Sequence, residues 1–256
     1  MMDQIALEVK QLQMHFSGLK AVNQVSFVLA KNQIKAMIGP NGAGKTTMFN
    51  CISGIYTPTF GEIFLNGQEK ISGLKPYQIT RKGISRTFQN IRLFKKMSAI
   101  ENIMTGFHHK TTYGIPGIIF KSQKFKQEEG QIIDKSFELL KTCSLENFAH
   151  TEAAQLPYAA QRKLEIARAL ANSPEILLLD EPAAGMNPKE TEELAELILL
   201  LKQQFNLSVL LIEHDINFVM NLSDSIIVMD HGEPIADNSP SKVRQNPEVM
   251  KAYLGE

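Results

Sequence analysis

Gly39-Pro40-Asn41-Gly42-Ala43-Gly44-Lys45-Thr46 fits G-x-x-x-x-G-K-[ST], the pattern of a loop that wraps nucleotide phosphates. Its glycines let backbone approach an anion with no side chain in the way. Successive N–H groups then point inward, and the helix that follows presents its positive end. Lys45 can reach the β- and γ-phosphates, and the Thr46 hydroxyl can ligate Mg²⁺. The bland reading of the same letters is a glycine-rich turn between a strand and a helix.

A second set of residues suits the same chemistry. Leu177-Leu178-Leu179-Asp180-Glu181 is an apolar strand ending in two acids. Asp180 can hold Mg²⁺ directly or through water. Glu181 can polarise an attacking water as general base. His214 also follows a buried apolar run, where an imidazole can hydrogen-bond a γ-phosphate and link it to Glu181. The Gln89 amide oxygen can ligate Mg²⁺ and sense loss of the γ-phosphate. Taken alone, Gln89 reads as an exposed amide and His214 as a structural imidazole.

The elements that must position these groups can be read from the pattern. Ile34–Ile38 is a short apolar strand before the glycine loop, and Thr47–Ile52 begins a helix that Gly54 can close. Alternating Ile5, Leu7, Val9, then Val22, Val25, Phe27 and Leu29 suit a mostly antiparallel sheet. Gly61–Gly67 is a strand ending in an Asn-Gly turn. From about 92 to 155 the chain turns polar, with helical spacing at Ile132, Ile133, Phe137 and Leu140. It reads as a helical insertion with a small apolar patch at Ile115–Phe120. Strands then return at 176–180, 207–212 and 225–229. Asn187, Pro188 and Glu190 form a helix start, and Leu194, Leu197, Ile198 and Leu201 its apolar stripe. A last short helix begins at Asn246-Pro247. Strands alternating with helices imply a parallel sheet covered on both faces.

Composition narrows the function classes. The 256 residues are 43% hydrophobic, enough for one sizeable core or one core with a smaller lobe. Formal net charge is zero, so no global field draws the protein to nucleic acid or membrane. Cys51 and Cys143 read as reduced, buried thiols. No signal peptide is visible after Met1, and no apolar run can span a bilayer. Membrane attachment would therefore require another subunit. From Lys70 to Lys126 the chain holds twelve Lys or Arg against one acid, Glu101. That run reads as a solvated basic face, or more sharply as a surface for phosphate, headgroups or a partner.

Leu156 to Leu170 has the pattern of an amphipathic surface helix with a small-residue start. Taken with the residues above, the whole set resembles the ATP-binding cassette (ABC) ATPase family over nearly the full chain. Gly39–Thr46 matches its Walker A motif, Ile176–Glu181 its Walker B, Gln89 its Q-loop and His214 its switch histidine. The resemblance implies a P-loop NTPase fold of class α/β. It has a RecA-like parallel-sheet core, an N-terminal antiparallel β subdomain and an inserted α-helical subdomain. One ABC domain spans 1–256, and residues 92–155 with the signature helix to about 172 make the helical part. ATP and Mg²⁺ are the implied cofactors. ATP is held by Phe16, stacked on adenine, by Gly39, Pro40, Asn41, Gly42, Ala43, Gly44, Lys45, Thr46 and Thr47, and by Gln89. Thr46, Gln89 and Asp180 serve the metal; Glu181, His214 and Lys45 carry catalysis.

The 181–191 stretch, the Gly117–Phe125 insertion and the ending Ala252–Glu256 resemble one subfamily, the LivG-type ATPase subunit of high-affinity branched-chain amino-acid importers. The implied partners are a second ABC ATPase subunit, two membrane permease subunits and, indirectly, an extracytoplasmic solute-binding protein. The implied place is the cytoplasmic face of the cell membrane, with no nucleic acid bound. The family signature, Leu-Ser-Gly-Gly-Gln, aligns with Leu156-Pro157-Tyr158-Ala159-Ala160, followed by Gln161. Pro157 offers neither hydroxyl nor N–H to a phosphate. Ala159 stands where relatives keep Gly, and Asn187 where an Asp is usual. In the family, this segment binds ATP held by the other subunit. An intact catalytic set beside an altered signature implies a heterodimer in preference to a homodimer. A soluble ABC ATPase acting on nucleic acid or ribosomes is the competing class, kept open by the basic run. A small-molecule kinase or GTPase would leave Gln89 and the signature helix unexplained.

Overall fold

The computed structural model describes residues 4–108, 111–112 and 122–254. Met1–Asp3, the Ile115–Phe120 patch, most of the Gly117–Phe125 insertion and the final Gly255-Glu256 lie outside the described residues. Two compact units divide the rest. One takes in the described residues up to Gln89 and those from Glu175 onward; the other is Asn90–Pro174.

The first unit opens with β1 (Ile5–Phe16), β2 (Leu19–Ala30), β3 (Ile34–Ile38), helix α1 (Lys45–Ile52), β4 (Phe60–Leu65), β5 (Glu69–Lys70), α2 (Pro76–Arg81) and β6 (Ile84–Arg86). The second unit holds α3 (Ala99–Gly106), α4 (Gln123–Thr142) and α5 (Tyr158–Leu170). The first unit resumes with β7 (Ile176–Asp180), α6 (Pro188–Phe205), β8 (Ser208–Ile212), α7 (Ile216–Leu222), β9 (Ser225–Asp230), β10 (Glu233–Asn238), α8 (Pro240–Arg244) and α9 (Pro247–Leu254).

Two sheets form. The antiparallel one has the order β2-β1-β4-β5, and the larger one β10-β9-β3-β8-β7-β6. The turn after β4 places Asn66 at φ 53° and Gly67 at φ 70°, as an Asn-Gly turn requires. In the larger sheet all neighbours are parallel except β10, which pairs antiparallel with β9 at one edge. Every residue of β3, β7 and β8 is buried. Strands covered on both faces read as near-continuous apolar runs, and these do, with Lys35, Asp180 and Ser208 as their buried polar members. One buried cluster joins Val22, Val25 and Leu29 of β2, Phe49 and Ile52 of α1, and Leu178, Leu210 and Ile227 of the parallel strands.

Register decides the site. Asp180 pairs with Ile212, and Met37 also pairs with Ile212. The carboxyl ends of β3, β7 and β8 are therefore level. The loops that leave them carry Gly39–Gly44, Glu181 and His214. In open α/β sheets ligands bind in that crevice.

Within the second unit, Ser98 and Glu101 form the capping box that starts α3. Buried Asn102 ties the preceding loop down through Phe94, Met97 and Ser98. In α4 the buried residues are Ser136, Leu139 and Leu140. Ile133 is exposed, and Phe137 lies under the Lys141 ammonium at 5.2 Å. The helix is as expected, but its inward face is turned from the expected apolar stripe. Its buried residues all lie in its C-terminal turns.

Candidate active site

The glycine loop is held by close backbone approach. At Gly39, φ is 150°, and a Cβ would lie 2.0 Å from the Met229 carbonyl oxygen. At Gly44, φ is 95°, and a Cβ would lie 2.3 Å from the Ala21 carbonyl oxygen. No other residue fits at either place. Gly44 is also the N-cap of α1, and no side chain caps that terminus. The first-turn N–H groups of α1 are thus left for an anion.

Lys45 is buried, and its Nζ donates to the Gly39 carbonyl at 2.7 Å and the Pro40 carbonyl at 2.9 Å. Burial pulls its pKa below the usual lysine value, and the nearby Glu181 carboxylate opposes that shift.

Glu181 is the hub. Its backbone takes φ 48°, a left-handed conformation that costs a non-glycine residue about 1 kcal/mol or more. Its N–H donates to the Ile212 carbonyl at 2.9 Å. One carboxylate oxygen lies 2.7 Å from His214 Nε2, and the other accepts from Gln89 Nε2 at 2.8 Å. Gln89 thus meets Glu181 through its amide nitrogen.

Asp180 is buried behind this group. Its Oδ2 accepts from Arg86 at 2.7 Å, and its Oδ1 is buried with no hydrogen-bond partner. Arg86 also donates to Asn50 Oδ1 and Ser53 Oγ, each at 2.8 Å. Its guanidinium lies over Phe49 at 5.5 Å and Phe88 at 5.4 Å. Arg86 is one residue that sequence reasoning missed. It reads as one more member of the basic run, although its place at the end of a short strand, just before Thr87-Phe88-Gln89, was a usable signal.

These residues bound an open cleft of about 540 Å³. Phe16, Asn41 through Thr47, Gln89, Glu181 and His214 line it. Gly39, Pro40 and Asp180 are not among the lining residues. Phe16 is 37% exposed, and Tyr56 packs edge-on against it at 5.3 Å. Lys20 and His231 also reach the cleft, and neither stood out in the sequence.

Pro157, Tyr158, Ala159, Ala160 and Gln161 belong to the other unit. Pro157 is the N-cap of α5, with no side-chain cap bond. Pro157 and Tyr158 are exposed, Ala159 is half-buried and Ala160 is buried. Gln161 Nε2 donates to the Leu156 carbonyl at 2.9 Å. Of the five, Ala160 and Gln161 are therefore turned toward their own unit. The surface-helix reading of 156–170 is corrected too. Arg162 and Glu165 are both buried, paired at 3.3 Å, and Glu165 also accepts the Arg92 N–H at 3.1 Å. Charges can be buried there because each has a partner.

The basic run is likewise no single face. Lys70 pairs with Glu62, Lys82 with Glu69 and Arg86 with Asp180, while Lys110 and Lys121 lie outside the described residues.

A family model described as ABC transporter matches residues 22–184. The chain belongs to the ABC transporter family. The high-affinity branched-chain amino acid transport ATP-binding protein BraF of Pseudomonas aeruginosa is 50% identical over 251 residues, covering 98% of each chain. The corresponding ATP-binding protein LivG of Escherichia coli is 47% identical over 255 residues, covering both chains fully. Among solved structures, the ADP conformation of an ATP-binding cassette of an ABC transporter superposes with TM-score 0.86 at 29% identity, covering 98% of this chain and 99% of that one. Residues 39–47, which line or border the cleft, fall within the matched stretch. Among the described residues no helix is long and apolar enough to cross a membrane.

Proposed function

We propose that this chain is the ATP-hydrolysing subunit of an importer for branched-chain amino acids or a related small polar solute. The observation that carries hydrolysis is the Glu181 carboxylate, held between His214 and Gln89 at the phosphate loop. Full-length likeness to BraF and LivG supports the cargo.

The mechanism follows from the side chains present. Phe16 offers a face for the base, and the N–H groups of residues 41–47 cradle the phosphates. Lys45 exchanges its two carbonyl partners for phosphate oxygens, which as anions bind an ammonium more strongly. Glu181 orients water and accepts its proton, while His214 fixes the carboxylate and can donate to the γ-phosphate. The residues that would hold Mg²⁺ are Thr46 through its hydroxyl, Gln89 through its amide oxygen and Asp180 through Oδ1, which is buried with no hydrogen-bond partner. Among the described residues no group of three His, Cys, Asp or Glu side chains is placed to hold a metal ion. A hard cation held by few protein oxygens and the substrate's phosphates suits that inventory. When bound, it would neutralise charge on the phosphates.

Pro157–Gln161 would face ATP held by a second cassette, different from this chain, and two membrane subunits would hold the pair at the cytoplasmic face. The chain would act as one ABC domain, with its helical part at about 92–172.

Reconstitution with candidate membrane subunits and a second cassette tests the reading. ATP-dependent uptake of labelled leucine that vanishes with Glu181→Gln is the expected result. Uptake that survives this change would overturn it.

A further inference from the structure

Glu213 lies between the last residue of β8 and His214, and none of the roles above uses it. It is 3% exposed. One carboxylate oxygen accepts the Ala183 N–H at 2.7 Å. The other accepts the His214 N–H at 2.8 Å and lies 3.5 Å from the Asp215 nitrogen. The first bond reaches the loop after β7, which carries Glu181. The second closes on the loop after β8, which carries His214.

We propose that Glu213 is a positioning residue that locks the Glu181 loop to the His214 loop, and so sets the 2.7 Å contact between the two catalytic side chains. This rests on the hydrolytic reading of Glu181 above.

The chemistry calls for a carboxylate. Two backbone donors arrive from different loops, and each needs its own acceptor. A hydroxyl is too short to span both. A glutamine offers one oxygen and turns an NH₂ toward the other donor. Only an ionised carboxylate presents two acceptor oxygens at that reach. Burying it is unfavourable, and burial does push the Glu213 carboxyl above the usual carboxylate range, with the backbone N–H groups pulling it back. A buried acid held against that cost needs a use.

The lock also brackets the left-handed residue. Glu181 is tied at its own N–H to Ile212, and two residues later Ala183 is tied to Glu213. A backbone in a sparsely populated region persists only where its surroundings over-determine it. Loosening the second tie would let the Glu181 carboxylate drift from His214. A misplacement of about 1 Å in a catalytic group costs on the order of a hundredfold in rate.

The test uses Glu213→Gln in the isolated chain and in the assembled transporter. In the isolated chain, amide hydrogen exchange is expected to accelerate at His214 or Ala183 while Tm stays near wild type. In the assembly, kcat is expected to fall at least about tenfold with KM for ATP within about twofold. His214→Ala with Glu213→Gln should be no slower than His214→Ala alone, because residues acting through one contact are not additive. Unchanged exchange at both amides, or a KM that rises in step with the loss of kcat, would overturn the proposal. A wild-type assembly that fails to hydrolyse ATP would count instead against Glu181 as the base, and the exchange pattern would still decide the role of Glu213.

Discussion

His214 Nε2 lies 2.7 Å from Glu181 Oε1, and the two residues leave adjacent strands whose ends are in register. The contact closes a carboxylate–imidazole pair above the phosphate loop, with Gln89 on the other carboxylate oxygen. In the mechanism we propose, the pair orients the group that takes the water's proton. Glu181→Gln should keep nucleotide binding and lose hydrolysis by about a hundredfold or more, and His214→Ala should follow it with a smaller loss. Equilibrium ATP binding beside phosphate release in the same assembly checks both.

Phe16 gives an optical handle, because the protein contains no tryptophan. Phe16→Trp should bind ATP at least as tightly as wild type and report binding by a change in its emission. Phe16→Ala should weaken binding by about 1–3 kcal/mol, the worth of one base–aromatic stack. A titration of Phe16→Trp with ATP that leaves the emission unchanged would remove Phe16 from the base site.

Arg86 and Asp180 form a buried ion pair, 7% and 3% exposed at the side chains. Removing one partner leaves the other charge buried and alone. Arg86→Met should therefore destabilise the fold by about 3–5 kcal/mol, read from urea midpoints. Arg86→Met combined with Asp180→Asn should recover part of that loss, since no uncompensated carboxylate then remains. The double variant should still fail to hydrolyse ATP, because in the proposed site Asp180 Oδ1 serves the cation.

Both thiols are buried, and burial pushes each up to about 12 from an ordinary 9.0. A raised folded pKa gives stability that is full below about pH 9 and is lost as pH rises toward 12, because the unfolded chain releases those protons first. Urea midpoints should fall between pH 8 and pH 10, and Cys51→Ala should flatten that slope. At pH 8 a thiol reagent should label neither cysteine in the folded protein and both after unfolding. Rapid labelling of the folded chain would contradict the burial.

The core was legible because the parallel strands announce themselves. Ile176–Leu179 and Val209–Ile212 are apolar at every position, as suits strands covered on both faces. The Asn187–Glu190 capping box was legible for a similar reason: its signal is local. The site was legible where spacing carries the chemistry, as at Gly39–Thr46. What escaped depends on contacts between residues far apart in the chain. Arg86 looks like a surface cation until Asp180, Asn50 and Ser53 are brought around it. Arg162 and Glu165 look like the polar side of a surface helix until both are found inside. The turned face of α4 belongs with them, because periodicity gives a helix but not which neighbour it packs against.

The resting partners of Lys45 have a consequence for selectivity. Its ammonium rests on two carbonyl oxygens of its own loop, so the strand-to-helix bend holds its shape without outside help. A newcomer has to outcompete those two dipoles. A nucleoside lacks the charge to do so and can reach only the aromatic rim. A triphosphate carries it, and the swap asks for rotation of one side chain while the main chain stays still. The expected result is a toll on charge: entry would depend first on how negative the visitor is, and only afterwards on which base it carries.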